Sequence, residues 1–191
     1  MEGLIVKERS PHYFFAVSLP PEVKDILKNK CDGMGNQGSF KKWVHYKDYH
    51  ITLAFLGDSA EESLKNATSF IKEKISDFPA FPAEIQNIGT FGKKESPRIL
   101  WADIQENDKL HLLRALVYTC CQKAGYKLEA RAFTPHITLA RKWIDEEPYS
   151  NAPGQFLHSI PFTIDEIALY ETNTETIPKY RKIATLPLKI N

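Results

Sequence analysis

The pentapeptide His-Ile-Thr-Leu-Ala occurs twice in this chain, at His50 to Ala54 and again at His136 to Ala140. Only six histidines are present. Two copies of one phrase, each built around a histidine, point to an internal duplication and so to a fold made of two similar halves. Strand geometry gives the phrase a chemical meaning. Side chains alternate along a β-strand, so His50 and Thr52 share one face while Ile51 and Leu53 take the other. The same alternation separates His136 and Thr138 from Ile137 and Leu139. Each motif therefore presents an imidazole beside a hydroxyl above a buried floor. Two such strands lining one cleft, both central or near-central in their sheets, are the arrangement to expect.

The rest of the chain supplies the elements for it. Tyr13 to Leu19 is an apolar, aromatic run closed by Pro20-Pro21 and reads as a buried strand. Pro21 suits a first helical position, and Val23, Ile26, Leu27 and Cys31 give that helix its inner face. Asp32 to Ser39, with three glycines, reads as a loop, and Trp43 to His45 as a short strand. The first motif strand spans Tyr49 to Leu56 and stops at Gly57. Ser59 and Glu62 have capping-box spacing ahead of a helix with Leu64, Ala67, Phe70, Ile71 and Ile75 on one face. Pro79 and Pro82 end that stretch. Ile85 to Phe91 and Arg98 to Ile104 follow as two strands joined by a Gly-Lys-Lys-Glu-Ser-Pro turn. Asn107 is placed to cap the next helix and Gly125 to close it. Its inner face is Leu110, Leu113, Val117, Cys120 and Ala124. The second motif strand covers Pro135 to Arg141, a loop spans Glu146 to Gly154, and Phe162 to Tyr170 with Arg181 to Leu188 read as a closing pair of strands. The expectation is an α+β fold of two similar lobes, each a small antiparallel sheet backed by helices, with a central cleft between them. Without a low-complexity linker, residues 1–191 are expected to form one bilobal domain.

Composition narrows the partners. The net charge is +1, so no global basic surface advertises nucleic acid, and an anionic ligand must be held locally. Three cysteines, two of them adjacent, read as reduced thiols in a cytoplasmic protein rather than as a disulfide framework. The segment Met1 to Ser10 carries charges and no long apolar run, so neither a signal peptide nor a membrane span is expected.

Two neutral imidazoles across a cleft can divide the work of acid and base, because the ordinary histidine pKa lies near neutrality. Flanking a phosphodiester, one takes a proton from the attacking oxygen and the other gives one to the leaving oxygen. Thr52 and Thr138 can hydrogen-bond the non-bridging oxygens, where transition-state charge must be held. Arg141 has a guanidinium fork that matches phosphate, but strict alternation points it away from the cleft unless the strand bends. No His/Asp/Glu cluster accompanies the motifs, so neither a catalytic metal nor another cofactor is expected. A phosphate-binding glycine loop, a dinucleotide fingerprint and a nucleophile elbow are absent. His12, His45, His111 and His158 lack a repeated context and read as surface or packing residues. Trp43, Trp101 and Phe91 read as core ahead of base-stacking platforms, and Lys41-Lys42 and Lys93-Lys94 as solvated turns ahead of guides for a polynucleotide.

These residues carry a resemblance. His50-Ile-Thr52-Leu and His136-Ile-Thr138-Leu resemble the paired His-x-Thr motifs of the two-histidine phosphoesterases. The match is closest to the bacterial and archaeal RNA 2′,3′-cyclic phosphodiesterases, historically called 2′-5′ RNA ligases. Phe14 to Pro20, His50 to Gly57, Pro97 to Trp101 and Phe133 to Arg141 are similar to successive phrases of that family, over nearly the whole chain. His12-Tyr13 stands where the family often has an opening arginine. The resemblance implies a two-lobed α+β fold with a pseudo-two-fold axis and metal-independent hydrolysis of an RNA 2′,3′-cyclic phosphate end to a 2′-phosphomonoester. A monomer is expected. It makes His50 the proton donor, His136 the proton acceptor, and Thr52, Thr138 and Arg141 the substrate-binding residues. Other readings stay open from the residues alone. One is a phosphodiesterase for small cyclic nucleotides or 2′-5′ linked oligonucleotides, or a 2′-5′ ligase. Another is a non-catalytic nucleotide- or RNA-binding module.

Overall fold

The computed structural model describes residues 10–34, 39–150 and 158–190. The readings made above for Met1 to Arg9, for the glycine-containing part of the loop at 35–38 and for the loop at 151–154 lie outside the described residues. Nine strands and three helices follow in the order β1 (Tyr13–Ser18), α1 (Pro21–Asp32), β2 (Phe40–Trp43), β3 (His50–Gly57), α2 (Glu61–Ile75), β4 (Phe81–Gly92), β5 (Pro97–Ile104), α3 (Asp108–Lys123), β6 (His136–Trp143), β7 (Ile160–Ile164), β8 (Glu166–Thr172) and β9 (Tyr180–Pro187). A 3-10 turn at Tyr46–Asp48 leads into β3.

The strands form two antiparallel sheets, of order β3-β1-β8-β9 and β2-β6-β5-β4-β7. Counted from the motif strand, the two orders correspond: β3-β1-β8-β9 against β6-β5-β4-β7, with β2 added outside β6. The fold is therefore α+β and two-sheeted, as the duplication implies. The motif strands are less central than expected. β6 is second from an edge, and β3 is itself an edge strand.

The two motifs share a backbone irregularity. Thr52 lies opposite Ala16 and Ala54 opposite Phe15, so Leu53 is an extra residue in β3. Thr138 lies opposite Trp101 and Ala140 opposite Leu100, so Leu139 is the extra residue in β6. A bulge of this kind reverses the alternation beyond it. Leu53 and Ala54 are both buried, as are Leu139 and Ala140. The repeated Leu-Ala is thus the sequence trace of a repeated bulge.

One apolar cluster joins the inner faces of both sheets to all three helices through residues such as Phe15, Leu27, Ile51, Ile71, Leu100, Leu113 and Ile137. α2 and α3 pack on each other, α3 against β3 and α2 against β9. Burying such side chains removes apolar surface from water, at about 1.5–3 kcal/mol each. A second, small cluster of Phe14, Ala16, Ala168 and Tyr170 lies apart from this core, on the face of the first sheet that carries His50.

Several local expectations change. Ile26 is 41% exposed, and α1 buries Val23, Leu27 and Cys31 instead. The short strand before the first motif is Phe40–Trp43 rather than Trp43 to His45, because Val44 and His45 already lead into the 3-10 turn. No capping box forms at α2: Ala60 holds the cap position, and the Ser59 hydroxyl donates to the Gly57 carbonyl. Pro82 does not end a segment but lies inside β4 opposite Thr163 of β7, and its carbonyl accepts from the Asn107 amide. The run from Phe162 to Tyr170 is two strands in two sheets, split at Asp165. The cap at α3 stands as read: Asn107 Oδ1 accepts from the Leu110 N–H at 3.1 Å, and Gly125 follows with φ +94. Among the described residues no helix is long and apolar enough to cross a membrane.

Candidate active site

Both histidines are anchored in the same way. Nδ1 of His50 donates to the carbonyl of Asp48 at 2.6 Å, and Nδ1 of His136 donates to the carbonyl of Thr134 at 2.7 Å. In each case the acceptor lies two residues upstream. A carbonyl can only accept, so the proton of each neutral ring sits on Nδ1, leaving the Nε2 lone pair for chemistry. β3 and β6 are in contact, and charge on His136 disfavours charge on His50, so the two rings act on one another.

The surroundings of the two rings differ. His50 packs against Phe14 at a ring separation of 4.8 Å, meets Tyr180 edge-on at 5.2 Å and has Tyr170 at 6.0 Å. Thr52 Oγ1 lies 3.0 Å from its Nε2. Among the described residues no corresponding bond joins Thr138 to His136. His136 meets Phe91 edge-on at 5.1 Å, and Phe91 stacks on Trp101 at 4.9 Å. Trp101 in turn lies flat across Gly89: a Cβ there would come within 2.3 Å of the indole. Phe91 and Trp101 are therefore supports of the second imidazole rather than ordinary core.

Burial holds both rings below the ordinary histidine range. His50 is pushed down to about 4, first by desolvation, then by the positive charges of Lys24, His136 and Arg141, against the favourable bond to Asp48. His136 is lowered by desolvation and by Arg131 and Arg141. Arg141 thus acts on both rings. The bulge at Leu139 explains why. It reverses the parity of β6, so that Arg141, opposite Ile99, returns to the face that carries His136 and Thr138. The alternation rule had pointed it away. All five residues expected at the site, His50, Thr52, His136, Thr138 and Arg141, therefore lie on the two motif strands and on the motif-bearing face of each sheet.

Sequence reasoning passed over Asp48. It is 4% exposed, its carbonyl holds His50, and its carboxylate accepts from the backbone N–H groups of Lys179 at 2.9 Å and Tyr180 at 3.1 Å. It ties the first imidazole to the start of β9 and positions Tyr180 against the ring. Phe14, Tyr170 and Tyr180 were passed over too, since only the sheet brings them to His50. Lys42 was expected in a solvated turn. It lies in β2 opposite Arg141 instead, and lines a cavity of about 120 Å³ beside Asp48 and Tyr180. His45 lines that cavity too, and His12 meets Phe55 edge-on at 5.7 Å. Among the described residues no three His, Cys, Asp or Glu side chains come together as a metal-ligand set.

Twin His-x-Thr strands in two corresponding antiparallel sheets, with an imidazole and a hydroxyl on each, define a two-histidine phosphoesterase. The chain belongs to the 2′-5′ RNA ligase superfamily, whose family model matches residues 37–176. It is 39% identical over 182 residues to a Geobacillus stearothermophilus protein named RNA 2′,3′-cyclic phosphodiesterase, covering 93% of this chain and 57% of that protein. A Bacillus subtilis protein of the same name is 31% identical, over 91% of this chain and 94% of its own length. Among solved structures, Escherichia coli LigT complexed with 3′-AMP superposes with a TM-score of 0.74 at 22% identity, covering 94% of this chain and 99% of that one. At that identity the likeness is one of fold.

Proposed function

We propose that this protein hydrolyses the 2′,3′-cyclic phosphodiester ends of RNA to 2′-phosphomonoesters by acid–base catalysis from His50 and His136. The observation that carries the reading is the shared anchoring of the two imidazoles. Each has Nδ1–H committed to a carbonyl, so in each neutral ring Nε2 carries the lone pair. Nε2 of His136 takes a proton from water as its oxygen attacks phosphorus. The bond from phosphorus to the 3′ oxygen breaks, and Nε2–H of His50 supplies the proton that this oxygen needs. Arg141 and the hydroxyls of Thr52 and Thr138 hold the non-bridging oxygens, where negative charge accumulates. The Thr52 hydroxyl occupies Nε2 of His50 in the free protein. The arriving leaving oxygen takes that place and frees the hydroxyl for the phosphate.

The names of the relatives support this substrate class. Charge stabilisation falls to Arg141 and the two threonines, so the reaction needs no resident metal. We propose further that the chain works as one bilobal unit over 1–191, as a monomer in the cytoplasm. One continuous core supports the first point, and three buried cysteines with no disulfide among them suit a reducing compartment. The test is product analysis on an RNA ending in a 2′,3′-cyclic phosphate, with and without a chelator. A 2′-phosphate formed at equal rates in both is expected. A 3′-phosphate product, or no turnover, overturns the reading.

A further inference from the structure

The cavity beside His50 gathers positive charge that the hydrolysis of one phosphodiester does not use. Lys42, Lys179 and Arg141 all line its 120 Å³. Among the described residues none of the three forms an ion pair with a carboxylate. The one carboxylate in the wall, Asp48, is committed to the backbone N–H groups of Lys179 and Tyr180. Lys179, which shares the cavity wall, lowers the pKa of Lys42, with burial and the charge of Arg141 adding to the effect. Cations crowded without an anion are costly, and an anion among them removes the cost. A second observation points the same way. His45 forms part of the wall, and its Nδ1 is buried without a hydrogen-bond partner.

We propose that Lys42, Lys179 and His45 form a second phosphate subsite, which holds the RNA phosphate next to the reacting cyclic phosphate. The proposal rests on the RNA phosphodiesterase reading. Arg141 lines this cavity and also acts on both imidazoles, so the two phosphates lie on either side of one guanidinium. A polynucleotide carries its phosphates in succession along the strand, and lysine ammonium groups neutralise them as point charges. Asp48 sets the spacing, since it holds His50 with its carbonyl and the backbone of Lys179 with its carboxylate. The subsite therefore selects a chain end over a free cyclic nucleotide.

The experiment compares a nucleoside 2′,3′-cyclic phosphate with the same nucleoside bearing a 5′-phosphate. The wild type should favour the 5′-phosphorylated substrate in kcat/KM by about tenfold or more, as phosphate contacts contribute to binding. The double variant Lys42→Ala with Lys179→Ala should lose that preference and keep its rate on the unphosphorylated substrate within about twofold, with arginine at both positions restoring it. A preference that survives in the double variant, or equal losses on both substrates, overturns the subsite. If the wild type turns over neither substrate, the phosphodiesterase reading has failed instead. Binding of a short, unreactive 3′-phosphorylated oligonucleotide then decides the subsite alone. The double variant should bind it more weakly and with a shallower salt dependence, by about 0.7 in the slope for each lost contact. An unchanged slope would reject the subsite.

Discussion

Arg141 occupies in the second sheet the place that Phe55 occupies in the first. Each follows the Leu-Ala bulge of its motif, each is returned by that bulge to the histidine-bearing face, and each is exposed, Phe55 at 57%. The duplicated backbone thus offers one outward-facing position per lobe. One lobe fills it with a cation and the other with an aromatic ring. The two histidines consequently share their anchoring but not their electrostatics. The cation stands on the His136 strand, and the more enclosed ring is His50.

Replacing either histidine should stop the chemistry without unfolding the protein. His50→Ala and His136→Ala should each lower kcat by about 10²–10⁴-fold, the usual contribution of a positioned acid or base. The double variant should fall short of the product of the two losses, because both groups act in one step. An aryl phosphodiester with a good leaving group should partly rescue His50→Ala alone. Equal rescue of both variants would reverse or dissolve the assigned roles.

The lowered histidine pKa values set the pH dependence. One proton must reside on the pair, and in the empty site both rings give up protons more readily than an ordinary histidine. The alkaline limb of kcat/KM, which reports the free enzyme, should therefore lie below the ordinary value of 6.5. The limb belongs to the pair rather than to either ring. An anionic phosphodiester between the rings favours protonation, so the limb of kcat should move to higher pH. A kcat/KM limb above that of kcat, with chemistry rate-limiting, would contradict the geometry.

Acid should also weaken the fold through His50. The unfolded chain takes up this proton near 6.5, whereas the folded protein resists it down to about 4. Between those values the unfolded state holds more protons, so stability falls as pH falls through the window. His50→Gln should flatten that part of a Tm-against-pH curve. A curve of the same slope in wild type and variant would refute the linkage.

Gly89→Ala tests the support of His136. The added Cβ would meet the Trp101 indole at 2.3 Å and force it off Phe91 and the imidazole. Overpacking of this kind costs about 1–3 kcal/mol. The variant should show a lower Tm and a lower kcat together. Gly33→Ala is the control, since a Cβ there makes only ordinary contacts at 3.6 Å. Its Tm and kcat should not fall.

Asp48→Ala should loosen the other half. It leaves the part-buried N–H groups of Lys179 and Tyr180 without their acceptor, at up to about 1–3 kcal/mol for each unsatisfied group. Asp48→Asn keeps one acceptor oxygen and should lose less. Thermal unfolding of the two variants gives the comparison, and equal losses would show that the one bond retained by the amide oxygen contributes nothing.

What the sequence made legible was local or repeated. The motif strands, the facing of His50, Thr52, His136 and Thr138, and the cap at Asn107 all follow from alternation and short spacing. The facing of Arg141 does not, because a bulge is a property of two strands, and its partners Leu100 and Trp101 lie far away in the chain. The split at Asp165 was hidden for a related reason: an apolar alternation shows that a strand exists but not which sheet receives it. Asp48 acts through residues more than a hundred positions distant, and nothing in its own neighbourhood marks it.

The placement of β8 carries a consequence for how the protein is made. β8 inserts between β1 and β9, and it brings Tyr170 to His50, while β9 brings Tyr180. Both strands are translated long after the first motif. Until they emerge from the ribosome, β1 and β3 have only each other to pair with in their sheet. The nascent chain therefore carries both signature motifs well before it holds a finished site. Activity should switch on late in synthesis, once Tyr180–Pro187 has closed the sheet.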